Sequence, residues 1–418
     1  MKNVSIYHGN FVYAPTENGL TERKNAYLVV EDGVIVGLYD VLPTEYAPLP
    51  ITDFGNKVVI PAFSDLHVHA PQYPNRGLRT DALLSDWLNE YTFPLEARFA
   101  DLSFAERAYD AFIDDMIAHG TMRAVVFGTV HEAATSYLVE RLEEKKIPCF
   151  VGKVNMDYDS PAALIETTQE SLASTERFLQ KYVANRYAKP ILTPRFAPTC
   201  SQELLSGLGK LGDKYAVGVQ THLVESKWEA QQAKKLYPDC SCDTEIYEKA
   251  GLLDNGPVVG AHFIFPSEED IRILQKHGGY AVQCPDATVN VIAGIMPTAN
   301  LFARGVNLAL GTDLSAGHHF GVYTQAAKSV QLSKIKNFYE PEHAVIPFSQ
   351  AFFAATKGGG ALFGKTGSFE KGYSFDALVI NDLSDPFFPL RPAEAVERFC
   401  HVGEKTDIVA KYLRGEKL

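Results

Sequence analysis

The chain has 418 residues, 46% apolar and 22% charged, with 31 Gly and 23 Pro, a globular composition that excludes a disordered or collagenous chain. Its 39 Lys and Arg against 51 Asp and Glu give a net charge of −12 without a basic block, which argues against a nucleic-acid partner. Six unpatterned cysteines, a start (MKNVSI) without an apolar signal-peptide core and no apolar run near the ~18 residues of a membrane span predict a reduced, cytoplasmic protein with no membrane partner.

In chain order, NVSIYHGNFVY, NAYLVVEDGVIVGLYD (with a turn at Glu31-Asp32-Gly33) and KVVI read as short strands. FDALVIND and IVAKYLRGEKL repeat this texture near the other end, so residues 1–60 and 366–418 are expected to form one composite β-sandwich domain. Between them lie eight apolar, β-branched runs: VVIPAFSDLHVH, RAVVFGTV, PCFVGKVNM, KPILTPRFA, AVGVQTHL, GPVVGAHFI, GYAVQCP and VNLALGTD. From His67 in the first to Asp313 in the last is 246 positions, about 35 per step, which suits an α/β chain with a (β/α)8 TIM-like barrel over residues 61–365.

LSFAERAYDAFIDDMIAHG is predicted as a helix opened by Ser103, with Glu106 three residues on, and closed at Gly120; SLASTERFLQKYVA and SEEDIRILQKHGG read as two more. Gly359–Thr366, GGALFGKT, matches GxxxxGK[ST], the loop of P-loop nucleotide-binding proteins. It follows helix-like FSQAFFAAT and leads through Gly367 and Gly372 into a strand, the reverse of the order a P-loop needs.

Catalytic groups of a barrel stand at the C-terminal ends of its strands. There the first run carries His67-Val68-His69, whose period of two points both imidazoles to one side, and runs five, six and eight end in His222, His262 and Asp313. A lone strand-end His is ordinarily a core residue and a Thr-Asp ordinarily a helix cap, but four such ends together select a metal site. Nitrogen and oxygen donors without thiolate suit Zn2+, with Fe2+ as the alternative. Glu225, three residues after His222, is placed to move a proton of an activated water. Arg195 and Phe196 end the fourth run with a donor fork and a stacking ring suited to a planar heterocycle, and Gln72 offers a donor and an acceptor to its edge. Some barrel hydrolases bridge two metal ions with a carboxylated Lys on strand four; Lys153 belongs to run three, so one ion per chain is expected, with a binuclear amide or ester hydrolase as the alternative. Cys240-Ser241-Cys242 has the wrong spacing for the PCxxC of nucleic-acid deaminases. His131, His318 and His319 carry no ligand role.

The stretches HAPQYPNRG, WLNEYTFPLEARF, VGKVNMD, TPRFAPTCS, QTHLVES and GTDLSAG resemble the amidohydrolase superfamily and, within it, the guanine deaminases, over about residues 55–380. The resemblance implies zinc-dependent hydrolysis of guanine, a small purine substrate, to xanthine and ammonia by a homodimer. It puts the metal ligands on His67, His69, His222 and Asp313. Substrate contacts fall on Gln72, Arg195, Phe196 and His222, and the catalytic proton carriers are Glu225, Asp313 and His262. Gln283–Thr288 departs from the HCPxSN of that family on strand seven, which keeps another aminopurine or a pterin open as the substrate.

Overall fold

The computed structural model describes residues 3–82 and 84–418; the first two residues of the expected end domain lie outside them. The chain opens with β1 (Val4–Thr16), β2 (Gly19–Glu31), β3 (Val34–Tyr39) and β4 (Ile51–Pro61). The middle carries β5 (Phe63–His69), β6 (Thr121–Phe127), β7 (Cys149–Gly152), β8 (Val154–Asn155), β9 (Ala188–Pro190), β10 (Thr193–Pro194), β11 (Val219–Leu223), β12 (Val258–His262), β13 (Tyr280–Gln283) and β14 (Asn307–Leu310). β15 (Ala377–Ile380), β16 (Ile408–Leu413) and β17 (Glu416–Lys417) follow.

Both ends of the chain meet in one seven-stranded sheet, ordered β17-β16-β15-β4-β1-β2-β3 and antiparallel except between β1 and β4. Its period-two alternation serves two cores. Val59, Ala377 and Val379 pack with Tyr7, Phe11 and Phe375, whereas their neighbours Val58, Ile60, Leu378 and Ile380 pack with residues of the parallel strands and their helices. The turn read at Glu31-Asp32-Gly33 needs its glycine: Gly33 has φ +80°, and a Cβ there would meet the Arg414 carbonyl oxygen at 2.3 Å.

The middle of the chain forms two four-stranded sheets, β5-β6-β7-β9 and β11-β12-β13-β14, parallel throughout, and a short β8-β10 pair. β5, β6, β11 and β12 are buried at every position, as parallel strands covered on both faces must be. The run VVIPAFSDLHVH proves to be two strands. β4 ends at Pro61 in the end sheet, and the chain crosses at Ala62, whose N–H donates to Asp376, before Phe63 N–H donates to Gly120 and β5 begins.

Two helix starts differ from the sequence reading. The helix Leu102–Ala118 is capped by Asp101 and not by Ser103, because the Asp101 carboxylate accepts both the Ser103 N–H (2.9 Å) and its hydroxyl (2.8 Å). The helix Thr168–Tyr182 starts before Ser171, where Thr167 and Glu170 form a reciprocal capping box. Ser267 caps Glu268–Lys276. GGALFGKT folds as a single 3-10 turn, Ala361–Phe363, after a helical segment and before turns, which is not P-loop geometry.

Candidate active site

β5 and the segment after β14 are tied together from below the site. Asp65 accepts from the N–H groups of His67 (3.2 Å) and Thr312 (3.1 Å) and from the Thr312 hydroxyl, and Asp313 N–H donates to the His67 carbonyl at 2.8 Å. On β11 the His222 Nδ1 stands 2.7 Å from the Arg195 carbonyl oxygen, which places the ring proton on Nδ1 and leaves the Nε2 lone pair free. These ties bring four side chains to one point. His69 Nε2 lies 3.1 Å from His222 Nε2, and Asp313 Oδ1 lies 3.2 Å from His67 Nε2 and 3.5 Å from His69 Nε2.

One ligand atom from each of His67, His69, His222 and Asp313 lies within 4.8 Å of the others, and all four residues are buried. Burial and the neighbouring imidazoles hold His69 and His222 well below the usual histidine pKa, so their rings are neutral. The His67 Nε2 is buried without a hydrogen-bond partner. Neutral lone pairs converging beside a carboxylate call for a cation, and three imidazoles with one carboxylate fit Zn2+ or Fe2+.

The strand ends here are strained. Val224, His262, Phe263 and Asp313 all have positive φ (52°, 74°, 47° and 46°), which is costly for a β-branched or bulky residue and clusters at functional sites. Hydrogen bonds from Phe263 to the Leu223 carbonyl and from Ile264 to the Val224 carbonyl hold this geometry. It places Glu225 Oε1 3.7 Å from His262 Nε2, which is itself 3.8 Å from Asp313 Oδ2. Burial, then the charges of Glu229 and Asp313, raise the Glu225 carboxyl well above the usual carboxylate range. Burial lowers His262 to about 3, so it is a neutral ring. Glu229, which the sequence reading passed over, accepts the Glu225 N–H at 2.7 Å and fixes this turn.

Arg195 and Phe196 follow β10 directly, and Gln72 stands three residues after His69. The Arg195 fork is engaged by a residue not singled out from the sequence: Glu96 accepts its two terminal nitrogens at 2.7 and 3.1 Å, and also accepts Gln72 Nε2 at 2.8 Å. All three are buried. Gln72 Oε1 accepts the Ser315 N–H at 3.3 Å. The half-buried Phe196 ring lies 6.4 Å from both the His222 ring and the half-exposed Trp228. A lone acid between Phe93, Leu95 and Phe99 was the signal for Glu96, since an acid in an apolar stretch is buried only when paired.

In the departing strand-seven segment, Gln283 and Asp286 are engaged by a neighbouring helix. The Gln283 side-chain Oε1 accepts the Ser329 hydroxyl, while Asp286 accepts Gln325 Nε2 at 3.0 Å and pairs with Lys328, the three partners all lying on the helix Val322–Tyr339. Lys153 is held by Glu166 (2.6 Å) and the Val154 carbonyl (3.1 Å). His319 packs on Tyr323 and His119, and His318 lies 3.1 Å from Asn290 Nδ2. His131 precedes the helix Glu132–Glu144, its Nε2 buried without a hydrogen-bond partner. Cys240 and Cys242 are unbridged, half-buried thiols before the helix Asp243–Lys249. Among the described residues no helix is long and apolar enough to cross a membrane.

Parallel strands whose ends carry an HxH pair, two further histidines and an aspartate define a class. The amidohydrolase family profile matches residues 58–410, and the chain belongs to that family. Its relatives narrow the class. It is 34% identical to the guanine deaminase of Dictyostelium discoideum over 382 residues, 88% of this chain and 84% of the relative, and 31% identical to that of Rattus norvegicus over 437 residues, 99% and 96% of the two chains. It also superposes on the crystal structure of a guanine deaminase from C. acetobutylicum with guanine bound in the active site, at 41% identity and a TM-score of 0.96 over the whole of both chains.

Proposed function

We propose that this chain hydrolyses guanine to xanthine and ammonia at the His67, His69, His222 and Asp313 centre. The observation that carries the reading is the buried Arg195–Glu96–Gln72 network, tied to that centre through the Arg195 carbonyl and the His222 ring, in a chain similar end to end to a guanine deaminase holding guanine. An ammonia-release assay over guanine, 8-oxoguanine, pterins, adenine and cytosine tests it, with guanine expected to be the best substrate. A preference for a pterin or adenine would overturn the substrate assignment and leave the reaction class standing.

His67, His69, His222 and Asp313 would hold a Zn2+ or Fe2+ ion, which would supply Lewis acidity and ease the ionisation of water near neutral pH. In the net reaction a water oxygen bonds to the amine-bearing ring carbon, the carbon–nitrogen bond breaks and ammonia leaves. Glu225, its proton affinity raised by burial and then by Glu229 and Asp313, takes one water proton and gives it to the adjacent ring nitrogen, then takes the proton of the new hydroxyl group and gives it to the leaving amine as the carbonyl forms. His262 sits between Glu225 and Asp313 and offers a hydrogen bond where charge develops on the oxygen. Glu96 neutralises Arg195 and fixes its plane, so that guanidinium and amide N–H groups of Arg195 and Gln72 meet the acceptor edge of the purine, with Phe196 against its face.

The two parallel sheets are read as one (β/α)8 barrel over 61–365. A parallel bridge from Leu192 to Val219 joins the halves on one side, and the Asp313 N–H to His67 bond joins them on the other. Residues 1–60 and 366–418 form the composite end domain.

A further inference from the structure

Cys284 follows β13 directly and shares the strand-end rim with the proposed metal centre. One ligand atom from each of His67, His262, Cys284 and Asp313 lies within 4.8 Å of the other three, and all four residues are buried. Two further observations distinguish this from a thiol that merely lies nearby. His262 is buried with neither ring nitrogen hydrogen-bonded, and the three-imidazole set does not use it. The Asp313 carboxylate is also divided: Oδ1 faces His67 and His69, while Oδ2 faces His262 at 3.8 Å.

We propose that His67, His262, Cys284 and Asp313 form a second seat, selective for a soft, thiophilic metal ion such as Cd2+. The proposal rests on the reading of His67 and Asp313 as ligands. Because both sets use those two residues, the seats exclude one another and the chain holds one ion in either. Thiolate selects soft ions, whereas the imidazole and carboxylate set suits the harder Zn2+ or Fe2+. On binding, the Cys284 S–H bond breaks, its proton leaves to solvent and a sulfur–metal bond forms. Occupancy takes His262 from its place beside Glu225, so a soft ion inactivates the centre it enters.

The test uses full-length, Zn2+-loaded protein carrying Cys240→Ser and Cys242→Ser, which removes the half-buried thiol pair, exchanged by dialysis against Cd2+. One Cd2+ per chain is expected, with the ultraviolet charge-transfer band of cadmium thiolate. Cys284→Ser should abolish the band and weaken Cd2+ binding ~10- to 100-fold. His222→Ala should keep the band. Bound Cd2+ without a thiolate band overturns the second seat and leaves the first intact, and loss of the band in His222→Ala overturns it as well, because the thiol would then belong to the three-imidazole set. A chain that retains neither Zn2+ nor Cd2+ refutes the ligand reading itself. Cadmium NMR of the same protein reports sulfur coordination even if Cys284→Ser does not fold.

Discussion

Glu96 is a buried and Glu225 a largely covered glutamate, and they are surrounded oppositely. Glu96 spends both oxygens on the Arg195 fork and accepts Gln72 besides, so its charge is compensated and its position fixed. Glu225 faces Glu229 and Asp313, which with burial raise its affinity for a proton. The same side chain is thus an anchor where a cation meets it and, in the proposed function, a proton carrier where burial and other carboxylates raise its affinity for a proton. Between them stands the four-ligand centre, and variants on each side should separate binding from chemistry.

The largest effect is expected at the centre, on which both sides depend. Chelation should abolish turnover and Zn2+ should restore it, with one ion per chain by metal analysis. Full activity in a verified metal-free sample would contradict the assignment. On the carrier side, Glu225→Gln should retain the metal and lose ~10²- to 10⁴-fold in kcat, the scale of general acid–base work. A near-normal rate with a bound ion would place the proton transfer elsewhere.

The anchor side should respond in kcat/KM and in stability together. Arg195→Met should lower kcat/KM for guanine by about 30- to 1000-fold at unchanged metal content. It also strands Glu96, and breaking a buried pair costs ~3–5 kcal/mol, whereas the double variant with Glu96→Gln should recover part of that loss. Chemical melts of the singles and the double give the coupling directly. Additive losses would show that Glu96 is not the partner that matters.

The comparison also marks where the sequence stops being readable. His67 and His69 announce themselves by a spacing of two on a buried strand, and His222, His262 and Asp313 by their place at run ends, because strand geometry is local. The Glu96–Arg195 pair spans 99 residues, and Glu96 sits on the short helix Phe93–Ala97 with no periodicity of its own. The first run hid a change of sheet at Ala62, since both strands are apolar and only their hydrogen-bond partners differ. Asp101 displaced Ser103 as a cap because two capping residues stood two positions apart, and the carboxylate satisfied Ser103 itself.

Glu229 lets the carrier side be probed through stability as well as rate, since it holds the Glu225 turn and acts on its carboxyl. Burial, then Asp243, raises its carboxyl to about 8. The native chain therefore keeps a proton that the unfolded chain releases near the ordinary glutamate value of ~4.3, so stability is fullest below that value and falls as pH rises through about 8. Urea melts should show this loss, on the order of 5 kcal/mol, and Glu229→Gln should flatten it. An unchanged slope in the variant would assign the pH dependence to another group.

The smallest effect should come from Gln72, which touches both the anchor and the backbone. Its Nε2 donates to Glu96, which keeps two hydrogen bonds from Arg195 without it, so Arg195 stays in place when the amide is removed. Its Oε1 accepts the Ser315 N–H, two residues from Asp313, and deletion leaves that donor unpaired in a buried site. One unsatisfied donor costs ~1–3 kcal/mol, part of which relaxation of the loop recovers. Gln72→Ala should therefore lower kcat/KM by about 5- to 30-fold, less than Arg195→Met, because a neutral amide contributes less than a charged fork. The loss should appear mainly in KM, since the proposed place of the amide is at the purine edge and not at the reacting carbon. A Gln72→Ala loss equal to that of Arg195→Met, carried in kcat, would mean that the amide holds the Asp313 loop in register, and the division between an anchor side and a reacting side would have to be redrawn.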